Sequence, residues 1–161
     1  METVWYILLL SMISTYLVLD GFDLGIGVLH LFFARNRSEQ KQIIQSIAPV
    51  WDGNEVWLIA AGGTMMMAFP GFLGSLFSGF YLPLTMVVWL LIFRAISIEL
   101  PHYLADSLWV HFWNIMLFVS SGLLIVILGA AMANVFRGVP LDQSGTFFEP
   151  LWTDFRIGPQ T

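Results

Sequence analysis

Ala48-Pro49-Val50-Trp51-Asp52-Gly53-Asn54-Glu55-Val56-Trp57-Leu58-Ile59-Ala60-Ala61 opens an apolar segment long enough to cross a bilayer, yet it carries two carboxylates in its first turns. A second breach, Leu19-Asp20-Gly21-Phe22-Asp23-Leu24-Gly25-Ile26-Gly27, lies near the end of the first apolar segment. An Asp at the centre of a spanning helix costs about 2.5–3.5 kcal/mol on insertion scales, and each Leu, Ile, Val or Phe returns only roughly 0.3–0.6. Acids kept in hydrocarbon at that cost commonly serve ion or proton movement. The two breaches therefore set the fold class, an all-α membrane protein, and mark where its function lies.

The whole composition agrees. Hydrophobic residues make up 58% of the 161 and charged residues 11%, and the mean hydropathy is +0.80, a membrane profile. No basic run exists to track a phosphate backbone, so nucleic acid is not an expected partner. Zero cysteines removes disulfides, Cys-ligated zinc and iron–sulfur clusters. No metal-ligand set is read anywhere in the chain. The N-terminal apolar stretch lacks a basic n-region and reads as a retained helix.

Four transmembrane helices forming one bundle are expected over residues 1–135, with spans at about 4–33, 48–69, 72–98 and 110–134 and a kink at Pro83. A hydrocarbon core of about 30 Å needs about 20 helical residues. Pro70-Gly71 separates the second span from the third. Residues 136–161, punctuated by Gly and Pro, read as an extramembrane loop that stops where a further span would begin. Arg35, Arg37, Lys41 and Arg94 fall on one side of this layout, and Arg137 and Arg156 on the other. The positive-inside rule then puts the first-to-second connection in the cytoplasm and the N-terminus outside.

In the first span Tyr16, Asp20, Asp23, Gly27 and His30 follow i, i+4, i+7, i+11, i+14 spacing and form one stripe. Gly21, Gly25 and Gly27 remove bulk beside it, admitting another backbone or a flat cofactor. The bland alternative leaves Asp20 and Asp23 solvated at the headgroup boundary. In the second span, Asp52 near the positive end of the helix dipole reads either as a cap or as the entry of a proton relay, with Glu55 one turn deeper. Trp51 and Trp57 look like an interfacial belt around it, and Gly53 and Asn54 are assigned to helix packing. Arg94, the one basic residue inside a span, is either a snorkelling end-of-helix arginine or a counter-ion to a membrane carboxylate or a cofactor's propionate. Met65-Met66-Met67, Gly62-Gly63, Ser120-Ser121-Gly122 and Gly129-Ala130-Ala131 read as packing surfaces.

The two acidic stretches, with Phe93-Arg94-Ala95 after the third span and Ala133-Asn134-Val135-Phe136-Arg137-Gly138-Val139-Pro140 after the fourth, closely resemble subunit II of cytochrome bd-type terminal quinol oxidases. The resemblance covers essentially the whole chain in order and spacing. It implies a multi-pass subunit of a quinol:oxygen oxidoreductase in the bacterial cytoplasmic membrane, in an enzyme that reduces oxygen to water with protons from the cytoplasm and does not pump. The cofactors it implies, haem d and two b-type haems, belong to subunit I, beside which this chain would pack, with a small third subunit and membrane lipid as further partners. Quinol is the implied substrate, and a quinone bound in subunit II is structural. By the same resemblance Asp52 belongs to a proton route with Glu55, and Asp20, Asp23 and Arg94 lie near the haem group and help hold it.

Family members are about twice this length, with eight helices in two four-helix bundles; this chain supplies the first half. Some relatives have His where Val50 stands and Gln where Glu55 stands. Two other classes compete with this reading. One is an ion- or proton-coupled secondary transporter using Asp20, Asp23, Asp52 and Glu55, although no inverted repeat is visible. The other is a bis-His haem electron-transfer subunit using His30 and His111.

Overall fold

In the computed structural model, which describes residues 1–103 and 106–137, every regular element is helical. The first apolar stretch forms one unbroken helix, α1 (Glu2–Phe33), about 48 Å long at 1.5 Å per residue. Its three glycines do not break it, because in lipid the backbone has no partner other than its own i−4 carbonyls. A short helix, α2 (Arg37–Ile47), follows, which the sequence reading treats only as a connection. Its start is specified locally: Asn36 accepts the Glu39 N–H at 2.9 Å, and the Glu39 carboxylate reaches back to the Arg35 N–H at 2.8 Å, a variant of the capping box.

Then come α3 (Trp51–Ala68) and α4 (Pro70–Gly79), followed by α5 (Tyr81–Glu99), a 3₁₀ turn over Leu100–His102, and α6 (Ser107–Arg137). The expected third span is two helices, not one kinked helix. The break falls at Phe80 (φ −107°, ψ 24°) after Gly79, and not at Pro83. Pro83 instead occupies the first turn of α5, where its missing N–H leaves no helical bond unmade. Among the described residues three helices are long and apolar enough to cross a membrane: α1, α5 and the 107–134 part of α6. The 18 residues of α3 carry Asp52, Asn54 and Glu55 in their first turns, which depress its hydropathy. The expected tail lies outside the described residues from 138 onward, and α6 continues through Arg137.

Neighbouring long helices run in opposite directions. Met12 and Asp23 on α1 meet Thr64 and Asn54 on α3. Along α5, Arg94 and Glu99 meet Glu55 and Trp51 of α3. On α6, Phe118 packs edge-on against Phe32 of α1 at 5.8 Å. One end of the assembly is closed by an aliphatic core of Ile44, Ile47, Ile98 and Leu117, with Ile26, Ala48 and Trp51 against it. Ile44 and Ile47, one turn apart on α2, turn that helix's apolar side inward. Gly27 is seated against α6, where a Cβ would run into the Ser121 side chain. By contrast, a Cβ at Gly21, Gly25, Gly53, Gly62, Gly63 or Gly129 would meet nothing within 4 Å. At those positions no atom of another element stands where a side chain would project. Met66 and Met67 are 66% and 87% exposed and also point outward.

Candidate functional site

The polar stripe of α1 faces inward along its whole length: Tyr16, Asp20, Asp23, Gly27 and His30 are all buried. Asp20 and Asp23 are not solvated at the chain's surface; both are fully enclosed. What encloses them is α3 on one side and α6 on another, with Arg94 reaching in from α5. From α5, Arg94 enters with no exposed surface, which removes the snorkelling reading. Its Nη2 lies 2.5 Å from Asp20 Oδ1 and 3.7 Å from Asp23 Oδ2, and its Nη1 donates to Glu55 Oε1 at 3.1 Å. Asn54 Nδ2 completes the cluster by donating to Asp23 Oδ2 at 2.7 Å. Asn54 is therefore a hydrogen-bonding member of the site, beyond the packing role its sequence suggests. The motif Asn54-Glu55 sends two adjacent polar side chains into one buried site, and the pattern of α3 alone gives no hint of which acid on α1 each would meet.

Three carboxylates around one guanidinium carry a formal excess of two negative charges when all are ionised. In low-dielectric surroundings such an excess is strongly disfavoured. Bound protons or positive groups from a neighbouring subunit must balance it. Glu55 is the open side of the cluster, its side chain 18% exposed against 1% or less for the other members of the ion pairs. Asp52 stands apart. It is exposed in the first turn of α3 and takes no part in the ion pairs. Three residues before Glu55, it shares that residue's side of the helix, so an exposed acid, a half-enclosed acid and a sealed acid–arginine cluster follow one another. Trp51 turns toward the aliphatic core and donates Nε1–H to Glu99 at 3.4 Å, so it is not a lipid-facing belt residue, whereas Trp57 is 39% exposed.

The family model described as cytochrome bd terminal oxidase subunit II matches residues 1–158. The chain belongs to this cytochrome bd subunit II family. It is 35% identical over 156 residues to cytochrome bd-I ubiquinol oxidase subunit 2 of Escherichia coli strain K12, covering 92% of this chain and 41% of that protein. It is 32% identical over 142 residues to cytochrome bd ubiquinol oxidase subunit 2 of Bacillus subtilis strain 168, covering 88% and 42%. A probable cytochrome oxidase subunit 2 of Haemophilus influenzae is 33% identical over 156 residues. The chain thus spans about two-fifths of the length of the curated relatives it matches.

The cytochrome bd subunit II family implies haem in the complex, and among the described residues the cluster around Arg94 does not fit a haem propionate. Arg94 already faces three carboxylates, so a propionate would bring a fourth negative group to one cation. Among the described residues no group of three or more His, Cys, Asp or Glu could hold a metal ion. Of the two imidazoles considered for bis-His ligation, His30 is sealed and His111 is exposed. His30 Nδ1 sits 2.7 Å from the Gly27 carbonyl, which can only accept and so fixes the proton on Nδ1.

Proposed function

We propose that this chain is the first half of subunit II of a quinol:oxygen oxidoreductase, folded as a four-span bundle in which α3 and the α4–α5 pair supply the middle spans. It sits in the bacterial cytoplasmic membrane with its N-terminus outside. It packs beside a haem-bearing subunit I that holds haem d and two b-type haems, oxidises quinol and reduces oxygen to water; a small third subunit and a structural quinone complete the assembly. The observation that carries the reading is the family match over residues 1–158.

Within that assembly this chain's residues carry protons. Asp52 takes a proton from the cytoplasmic side, Glu55 receives it one turn further in, and the carboxylates around Arg94 form a reservoir whose charge depends on bound protons. Asp20, Asp23 and Arg94 stand near a haem of the partner as neighbours, not ligands. They fix α1, α3 and α5 relative to one another. Their mutual pairing, with Arg94 already facing three carboxylates, supports this division of roles. The reading is tested by purifying the complex from native membranes through this chain. A larger membrane subunit with b- and d-type haem spectra and quinol oxidase activity is expected to copurify; a haem-free preparation with no such partner would overturn the reading.

A further inference from the structure

Between α2, the end of α5 and the start of α6 lies a cleft of about 360 Å³, within the size range of ligand sites. Its charge is placed unusually. Arg37, Gln40, Lys41 and Ile44 follow i, i+3, i+4, i+7 spacing on α2, and all four line the cleft. The cations of α2 thus share the side that carries its buried Ile44, where an amphipathic surface helix would place apolar groups. Across from them α6 contributes His111 and, one turn on, Asn114. No described lining residue is acidic.

Asn114 adds an independent sign of a ligand. It is only 4% exposed, its Nδ2 donates to Gln40 Oε1 at 3.0 Å, and its buried Oδ1 has no hydrogen-bond partner. A buried carbonyl oxygen without a donor is costly. The cleft therefore offers two cations and an imidazole for an anion, with a bare acceptor beside them for a hydroxyl.

We propose that this cleft binds the headgroup of an anionic glycerophospholipid, its phosphate between Arg37, Lys41 and His111 and a headgroup hydroxyl donating to Asn114 Oδ1. Free phosphate shares the anionic chemistry. The apolar wall at Ile44 and Val110 and the place of the cleft, where three helices of a membrane chain meet, select the lipid, since anionic headgroups are concentrated beside juxtamembrane basic residues. The site stands on α2, α5 and α6 alone and does not depend on the oxidase reading.

The membrane complex purified through this chain, delipidated in detergent, is titrated with phosphatidylglycerol or phosphatidylcholine and read by native mass spectrometry. One phosphatidylglycerol is expected to bind about tenfold more tightly than phosphatidylcholine. The double variant Arg37→Gln/Lys41→Gln weakens it by about 30-fold, roughly fivefold for each cation removed. Asn114→Asp, which keeps shape and adds negative charge, also weakens it. Arg35→Gln, outside the cleft lining, leaves it unchanged and serves as the control. The intact mass of each variant complex reports folding in the same spectrum. Equal binding of the two lipids, or unchanged binding in the double variant, overturns the proposal. Displacement of the lipid by millimolar inorganic phosphate, itself dependent on Arg37 and Lys41, would make this a free-anion site and overturn the lipid assignment.

Discussion

Arg94 on α5 and Asp20 on α1 meet at 2.5 Å across a sequence separation of 74 residues, both without solvent exposure. The contact joins the first and fifth helices at the depth where Glu55 of α3 also arrives. Each helix alone would carry an intolerable buried charge; together they carry a partly compensated one.

Removing the cation leaves three acids without it. Arg94→Gln is expected to destabilise the subunit by about 3–5 kcal/mol, the usual cost of an orphaned buried charge. The yield and thermal unfolding of the assembled complex would report it. Arg94→Lys keeps the charge but loses the fork that serves Asp20 and Glu55 from separate nitrogens, and should recover only part of the loss.

The amide of Asn54 satisfies one oxygen of a sealed carboxylate. Asn54→Leu, with the same branching but no donor, removes the hydrogen bond to Asp23 Oδ2 and should cost about 1–3 kcal/mol. Unchanged thermal stability would mean that Asp23 is held by something other than Asn54.

Two glycines on one helix should behave oppositely. At Gly27 a Cβ meets the Ser121 side chain, so Gly27→Val should cost about 1–3 kcal/mol through overpacking. A Cβ at Gly21 would meet nothing of another element within 4 Å, and Gly21→Ala should gain up to about 1 kcal/mol of helix stability. Loss of assembly in Gly21→Ala, with the subunit itself still folded, would place a partner helix against that glycine.

Much of this was legible in the sequence, for a physical reason. The stripe from Tyr16 to His30 obeys helical periodicity, so its place on one face follows from spacing, while its burial depends on the helices packed against it. The opposite is true of Arg94: whether it snorkels or pairs depends on which helices flank α5, and that is tertiary information. The helix α2 announces itself only through Asn36 and Glu39, a short signal easily read as a polar loop. The break at Phe80 was hidden because Pro83 is the more conspicuous residue, although proline is at ease in a first turn. Asp52 and Glu55 look alike in sequence, and only the packing of α1 and α5 separates the exposed acid from the half-enclosed one.

That separation supports the proposed proton route, which enters at Asp52 and passes to Glu55. Glu55→Gln should slow turnover while keeping a hydrogen-bond acceptor for Arg94, so assembly survives. The most direct test is quinol-driven oxygen consumption by the assembled oxidase carrying Asp52→Asn, with its haem spectrum recorded on the same sample. Asp52 is exposed and outside the ion-pair cluster, so the substitution should leave folding and haem content intact while most oxygen consumption is lost. Normal turnover in a fully haem-loaded Asp52→Asn complex would contradict the route and leave Asp52 as an acid at a helix start.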